Sequence, residues 1–232
     1  MSTQFQRIEN ENNIATFIGT MVSDFSIHHT TKNQNFYTFD LRVKRLSDNY
    51  DIIPIIVSES YYNCIDPDVK PGSRLYCNGE VRTYNESYVD SNGNTKYHVK
   101  VFVYAYEITN NVSEEFNDTN FVHLNGHLCK DPVLRTTPNG RSITDLVIAV
   151  GRNSSVRNKS DYIPTIAWGT NAISASNISK GDGVSIRGRF QSRTYNKKIG
   201  ENQTMLKISY EVSVDDIEVN TDFSNNWSVK TH

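Results

Sequence analysis

The sequence predicts an all-β protein built from two copies of one small five-stranded barrel. Thirteen Tyr and ten Phe stand against three Met, and this composition favours strands. Several segments alternate apolar and polar residues with the period of two that a strand with one buried face requires. Residue patterns also recur in the two halves of the chain, which indicates an internal duplication.

The duplication relates the two halves through a shift of 107 residues, which places Asn13 on Asn120 and Gly19 on Gly126. Further matches keep the same order, the later ones with small changes of register. They are Asp24 with Asp131, Phe39 with Leu146, Leu41 with Ile148, Val43 with Val150, Arg45 with Arg152, Pro54 with Pro164, Gly79 with Gly188, and Arg82-Thr83-Tyr84-Asn85 with Arg193-Thr194-Tyr195-Asn196. Because order and spacing both persist, we expect two copies of one structural unit.

The units are predicted at residues 13–108 and 120–219, joined by a polar, acidic linker at 109–119. An extension (1–12) and a short tail (220–232) flank them. Strands are expected near 13–23, 35–46, 50–58, 73–85 and 95–109, and near 120–130, 141–152, 160–168, 183–195 and 203–218. A short helix fits after the third strand of each unit, near 59–66 and 170–178. This is the plan of the OB-fold, a barrel whose second and third strands bind oligonucleotides or oligosaccharides.

Charge differs between the units, although the whole chain carries a net charge of only −2. Residues 13–108 hold 9 basic and 11 acidic side chains, whereas residues 120–219 hold 13 and 9. The basic excess of the second unit favours a polyanionic partner there. A solvated charged surface is the alternative interpretation.

The third strand of the second unit, Lys159 to Trp168, is the candidate binding segment. Alternation directs Ile163, Thr165 and Ala167 to the core and Tyr162, Pro164, Ile166 and Trp168 to the other face. Aromatic rings on an outer strand face, among basic residues, are typical of surfaces that stack nucleic-acid bases. The alternative is that these rings belong to a core or a subunit interface.

Basic residues near strand ends and loops are the candidates for phosphate contacts. In the second unit they are Arg135, Arg141, Arg152, Arg157, Lys159, Arg193, Lys197 and Lys198. In the first unit the weaker candidates are Lys32, Lys44, Arg45, Arg82 and Lys96.

Several functional classes find no support in the sequence. There is no Gly-rich phosphate loop, HExxH or GxSxG motif, so we expect no enzymatic activity and no cofactor. Three cysteines without CxxC spacing predict neither a metal site nor a disulfide framework, and they favour a reducing compartment such as the cytoplasm. The polar N-terminus is unlike a signal peptide, and no apolar run is long enough to span a membrane. The adjacent His28 and His29 are placed in a loop, since alternation would direct them to opposite faces.

Residues 120–219 resemble the bacterial single-stranded DNA-binding proteins. The resemblance is carried by Asn120-Phe121-Val122-His123-Leu124-Asn125-Gly126-His127-Leu128, Asp131-Pro132-Val133-Leu134-Arg135, Pro138-Asn139-Gly140, Leu146-Val147-Ile148-Ala149-Val150, Ala167-Trp168-Gly169, Lys180-Gly181-Asp182, Ile186-Arg187-Gly188-Arg189-Phe190 and Arg193-Thr194-Tyr195. It implies a tandem member that binds single-stranded DNA without strong sequence preference, in replication, recombination or repair. It also implies base stacking on Tyr162, Trp168 and Tyr195, and a homodimer that presents four OB domains.

The first unit departs from this pattern. Ile52 and Ser58 stand where the resemblance expects two stacking aromatics, and only Tyr84, after Arg82 and Thr83, is retained. An aliphatic row and an aromatic row are predicted on its outer face, and exposed apolar rows usually mark an interface. These rows are Ile52, Pro54 and Ile56, and Phe102, Tyr104 and Tyr106. Direct DNA contact and a role in assembly are both left open for this unit.

Familiar cellular members of the resembled family end in an acidic, Phe-terminated tip that recruits replication proteins. This chain ends Val229-Lys230-Thr231-His232, so recruitment by that route is not expected. An accessory protein of replication restart, acting mainly through protein contacts, is the main alternative function. Sugar or RNA binding is compatible with the fold but has no specific signal.

Overall fold

The computed structural model describes residues 12–31, 33–90, 93–110, 112–152, 159–198 and 204–220, with the backbone alone at 197 and 198. Within these ranges the chain forms twelve strands and two short helices. The first half contains β1 (Asn13–Met21), β2 (Ser26–Thr30), β3 (Asn35–Lys44), β4 (Tyr50–Ser58), α1 (Glu59–Tyr62), β5 (Arg74–Val89) and β6 (Thr95–Thr109). The second half contains β7 (Thr119–Leu128), β8 (Val133–Thr136), β9 (Ser142–Gly151), β10 (Ser160–Trp168), α2 (Thr170–Ala175), β11 (Gly183–Lys198) and β12 (Thr204–Val219).

Each half closes into a five-stranded barrel, which confirms the predicted tandem OB-fold. In the first barrel β3 pairs with β4, β4 with β6, β6 with β5 and β5 with β1, and two further pairs between β1 and β3 close the ring. The second barrel repeats this circuit with β9, β10, β12, β11 and β7. Short helices follow the third barrel strand in both, shorter than the sequence suggested.

Two strands were not predicted. β2 and β8 pair with the outer edges of β3 and β9, and each forms the first arm of a hairpin before the second barrel strand. Their residues, SIHHT and VLRT, are exposed throughout and do not alternate, so they carry no period-two signal.

Glycines permit the barrel closure. A Cβ atom at Gly126 would collide with the Ala149 carbonyl oxygen, and one at Gly19 with the Arg42 carbonyl oxygen. Both glycines lie where the first barrel strand crosses the second. Only a residue without a side chain allows the two backbones to approach this closely.

The core of each barrel is filled by inward residues of its strands. Phe17, Leu41 and Ile53 are fully buried in the first barrel, and Leu124 and Phe190 in the second. Phe17 and Phe190 meet edge to face with their ring centroids 6.4 Å apart, so the two cores touch where the barrels join.

The barrels are joined by antiparallel pairing of β1 with β7. Ala15 lies opposite Val122, and these two residues are equivalent under the 107-residue shift. The repeat-related strands therefore pair around an approximate two-fold axis, and the whole sheet runs through twelve strands.

The end of the linker is tied to the first barrel. Asp118 accepts a hydrogen bond from Arg74 Nη1 (2.7 Å) and one from the backbone N–H of Lys44 (2.6 Å). Arg74 also donates to the Phe116 carbonyl oxygen (2.5 Å). These contacts border an open cleft of about 1010 Å³, and its lining includes both basic and acidic residues: Lys44, Arg45 and Arg189, and Asp51 and Asp215.

Candidate nucleic-acid interface

Strand β10 presents two large aromatic rings on the outer face of the second barrel. Tyr162 is 56% exposed and Trp168 is 37% exposed, whereas the intervening Ile163 and Ala167 are fully buried. The predicted alternation is thus confirmed for both aromatics.

The middle of the same strand differs from the prediction. Ile166, expected on the outer face, is only 4% exposed. It lies within the sheet, opposite Asp145 of β9 and Ser213 of β12. The exposed aromatic surface is therefore divided between the two ends of β10.

Trp168 is positioned by the turn that follows it. Gly169 has a positive φ of 58° and donates its backbone N–H to the Ser142 carbonyl oxygen (2.9 Å), and α2 begins at Thr170. In the ladder Trp168 lies opposite Ile143. A glycine with positive φ thus ends the strand directly after Trp168.

Arg193 and Tyr195 lie together on β11. The guanidinium of Arg193 is 6.0 Å from the centre of the Tyr195 ring, and its Nε is 3.5 Å from Glu211. Tyr195 is half-buried and Arg193 is exposed. The side chains of Lys197 and Lys198 lie outside the described residues, although their backbone continues the strand.

The pairing register corrects one repeat match. Gly79 and Gly188 both follow a bulge and both oppose the first strand of their barrel, at Ala15 and Val122. Counting from them, Tyr84 occupies the position of Arg193, and Tyr195 lies two residues further along the strand. The likeness between Arg82-Thr83-Tyr84 and Arg193-Thr194-Tyr195 is therefore not a structural equivalence, although both tyrosines face the same side.

Arg152 is held at the contact between the barrels. Its Nε and Nη2 donate to the buried Asp161 carboxylate (2.6 and 2.5 Å), and Nη2 also donates to the Thr83 carbonyl oxygen (3.1 Å). The hydrogen bonds that Arg152 donates to Asp161 raise the pKa of Arg152 above its usual value. The same carboxylate accepts the backbone N–H of Thr83 (2.7 Å).

Arg45 makes the repeat-related contact. Its guanidinium donates to the fully buried Asp51 (2.9 and 2.5 Å) and to the Ser192 carbonyl oxygen (3.2 Å), and the Ser192 backbone N–H donates to Asp51 (2.9 Å). Arg189 adds a third contact to Asp51 at 3.3 Å. We call these two arrangements, centred on Asp51 and Asp161, the interdomain clamps. They give Arg45 and Arg152 a structural role that the sequence did not suggest, and phosphate contact by either stays a prediction.

The remaining predicted cations are distributed over both barrels. Arg135 forms an exposed ion pair with Asp145, and Arg82 pairs with Glu80 (2.8 Å) while covering the Tyr104 ring at 4.2 Å. Arg141 and Lys44 are exposed and join their neighbours through backbone contacts. Lys159 is exposed directly before β10. Arg157 lies outside the described residues.

The paired histidines of the first barrel are placed differently from the prediction. His28 and His29 lie in β2, and the ladder shifts register between Ile27 and His29. This bulge brings both rings to one side, with their Nδ1 atoms 2.8 Å apart. Burial and the neighbouring His29 lower the pKa of His28.

The aliphatic row predicted on the first barrel is not exposed. Ile56 is 3% exposed, and Ile52 and Pro54 are half-buried.

The described residues contain no group of three or more His, Cys, Asp and Glu side chains that could hold a metal ion. No helix in the same part of the chain is long and apolar enough to cross a membrane.

The sequence model of the single-strand binding protein family matches residues 12–109 and 119–219, one match for each barrel. The chain belongs to the single-strand binding protein family. Curated relatives include a single-stranded DNA-binding protein of Clostridium tetani, 41% identical over 93 residues, and single-stranded DNA-binding protein A of Bacillus subtilis, 34% identical over 96 residues. These alignments cover 38% and 40% of this chain, and 64% and 56% of the relatives' own length.

Solved structures show the same fold over both barrels. The wild-type single-stranded DNA-binding protein of Thermus aquaticus superposes with a TM-score of 0.67 at 21% identity, covering 90% of this chain and 93% of that one. A deletion mutant of the same protein gives a TM-score of 0.66 at 19% identity and covers 94% and 98%. Since each match covers at least nine tenths of the present chain, the fold is shared over both barrels.

Proposed function

We propose that this protein binds single-stranded DNA without strong sequence preference, stacking bases on Tyr162, Trp168 and Tyr195. The observation that carries the proposal is the pair of exposed rings at the two ends of β10, on an OB barrel of this family. The names of the relatives, single-stranded DNA-binding proteins, support the choice of ligand. No chemical step is involved, so the proposed activity is binding alone.

Base stacking explains both the affinity and the lack of sequence preference. Every base has a π face, and stacking on an aromatic side chain contributes roughly 1–3 kcal/mol per base. Tyr162 and Trp168 stand six residues apart in an extended strand, roughly 20 Å at about 3.3 Å per residue. A strand of DNA that follows β10 would therefore meet a ring at each end of the path.

Phosphate contacts would supply a salt-dependent part of the affinity. Arg141, Lys159 and Arg193 are the exposed candidates in the described part of the second barrel. The exposed pair of Arg135 with Asp145 contributes little to stability, so a phosphate can compete for the arginine. Arg157, Lys197 and Lys198 remain candidates from the sequence.

The wider biological role is part of the same proposal. We propose protection of single strands during replication, recombination or repair in the bacterial cytoplasm, by a homodimer that presents four OB domains. The β1–β7 pairing supports this count, because one chain already unites two barrels. The accessory, protein-binding alternative is weakened, because its expected aliphatic row is half-buried or buried.

The test is a titration of fluorescent oligo-dT at low and moderate salt, with duplex DNA as competitor. Tight binding that survives excess duplex and weakens with salt is expected. Trp168→Ala should lower the affinity about tenfold or more, given the stacking energy of one base, with the circular dichroism spectrum unchanged. Phe116→Ala, which removes an exposed ring from the linker, is the control and should bind as the native protein does. Unchanged affinity of Trp168→Ala would refute stacking at this position.

A further inference from the structure

The outer face of the first barrel carries an aromatic group that the family pattern does not require. We call it the first-barrel cluster, and its members are His28, His29, Phe36, Tyr84, Phe102 and Tyr104. Its centre is Phe36 on β3. The His29 imidazole lies flat on the Phe36 ring, with centroids 4.4 Å apart and planes within 5°. The Tyr104 ring lies 6.4 Å from Phe36, tilted by 46°.

Phe36 has a defined relation to Trp168 of the second barrel. Trp168 lies opposite Ile143 in the β9–β10 ladder, and the equivalent pair in the first barrel is Ser58 opposite Phe36. The aromatic residue of this pair thus lies on the second barrel strand, β3, in the first barrel and on the third barrel strand, β10, in the second. Directly opposed Cβ atoms in an antiparallel pair are roughly 5 Å apart, so the ring moves across the ladder but stays on the same face.

The rest of the cluster is also specific to the first barrel. By pairing register, Tyr84, Phe102 and Tyr104 correspond to Arg193, Glu211 and Ser213 of the second barrel. Those second-barrel residues are polar, and the last two are buried. The aromatic cluster is therefore not a shared packing requirement of the fold.

Two exposed cations lie along the same outer face. Arg42 and Lys44 follow Phe36 on β3 at even spacings, so their side chains leave the strand on the Phe36 side. Arg82 covers the Tyr104 ring but is paired with Glu80, so Arg42 and Lys44 are the cations exposed beside the rings. Flat rings with cations beside them are what binding of a single strand requires.

The first-barrel cluster lies close along the chain to a contact with the second barrel. Thr83, the residue before Tyr84, accepts the backbone N–H of Tyr162 on its hydroxyl group (3.2 Å), and its own N–H binds Asp161. Tyr84 of one barrel therefore follows a residue that touches the start of β10 in the other.

We propose that the first barrel binds a base of single-stranded DNA on Phe36, at the place that the His29 ring covers in the free protein. The inference rests on the proposed function and extends it to a second site with its own residues. His29 would leave the Phe36 face when the base stacks there. Only the β2 edge strand needs to shift, since it pairs with one neighbour.

The experiment uses the full chain and oligo-dT carrying 5-bromodeoxyuridine, irradiated and mapped by mass spectrometry. Crosslinks are expected in the second barrel, at Tyr162 or Trp168, and in the first barrel at Phe36. Phe36→Leu should remove the first-barrel crosslink, keep those of the second, and lower the affinity for a long oligonucleotide about fivefold or more. Phe116→Leu, the same change at an exposed linker position, should alter neither.

Two further outcomes separate this inference from the proposed function. Crosslinks confined to the second barrel, with native affinity of Phe36→Leu, would overturn the Phe36 site and leave the proposed function intact. Failure of the native protein to bind oligo-dT would overturn both. His29→Ala should bind as tightly as the native chain or more tightly, whereas a loss equal to that of Phe36→Leu would refute displacement of the histidine.

Discussion

Asp161 is a buried carboxylate whose partners come from both barrels. It is 1% exposed, and it accepts two hydrogen bonds from Arg152 and others from the backbone and hydroxyl of Thr83. Burying a carboxylate is costly unless it is paired and hydrogen-bonded, and here both conditions are met. The residue thus stabilises the contact between the barrels rather than the proposed DNA surface, although it directly precedes Tyr162.

Asp161→Asn should destabilise the protein by about 2–4 kcal/mol, because it removes the charge that compensates the partly buried Arg152 and leaves amide hydrogens facing donors. Urea unfolding monitored by circular dichroism measures the loss. Asp145→Asn is the matched control, since its pair with Arg135 is half exposed on both sides and should cost less than about 1 kcal/mol. Equal losses in the two variants would contradict a special role for the buried clamp.

At the scale of elements, the β3–β4 ladder and the β9–β10 ladder both carry an aromatic ring on the outer face, but on different strands. Each ladder places an aromatic ring at the same end of the outer face, on β3 as Phe36 or on β10 as Trp168. We therefore expect that the ring of the second barrel can be moved from β10 to the opposed position on β9, as in the first barrel. Trp168→Ser should weaken oligo-dT binding, and adding Ile143→Phe should recover part of the loss, because the new ring projects from the opposed position.

The control for this exchange is Ile143→Phe alone, which should not raise the affinity because Trp168 already covers that end of the ladder. Fluorescence titration of all three variants, with thermal unfolding to verify the fold, measures the effect. No recovery in a folded double variant would show that the strand carrying the ring matters as well as the face.

The sequence predicted the elements well where side chains alternate. The barrel strands and the exposure of Tyr162 and Trp168 follow from period-two patterns that a half-buried strand must have. β2 and β8 were missed because edge strands with every residue exposed leave no such pattern. The Asp-x-Ile-Pro match around Asp51 and Asp161 was visible in the sequence, but only the fold reveals that each carboxylate reaches across to the other barrel.

Register explains the site details that sequence likeness could not supply. The motif Arg-Thr-Tyr occurs in both β5 and β11, yet the ladders place Tyr84 opposite Lys100 and Tyr195 opposite Lys207, two positions apart after superposition of the repeats. The bulge in β2 is a second case in which register decides side-chain direction, because it turns His28 and His29 to one side. A one-residue change in pairing reverses which side chains share a face, and such changes leave no mark in composition.

At the scale of the whole molecule, the described residues join the two barrels through a central ladder and through contacts on either side of it. The β1–β7 ladder forms the centre, with Ala15 and Val122 fully buried on the approximate two-fold axis. The clamps at Asp51 and Asp161 lie on either side, related by the same symmetry. A single chain thus holds the outer faces of its two barrels in a fixed relation, which a flexible tether between independent domains would not provide.

Such joining predicts that both barrels unfold together. Differential scanning calorimetry of the native chain should give one transition with equal calorimetric and van't Hoff enthalpies. Replacing both buried carboxylates, Asp51→Asn with Asp161→Asn, weakens both clamps and leaves the β1–β7 ladder intact. Because the clamps share no residue, their losses should add, and the transition should broaden or divide into two. The Asp145→Asn protein, measured under the same conditions, should keep the single native transition. Two resolved transitions in the native chain would contradict the coupling, because independent barrels of different composition melt at different temperatures whether or not the clamps are present.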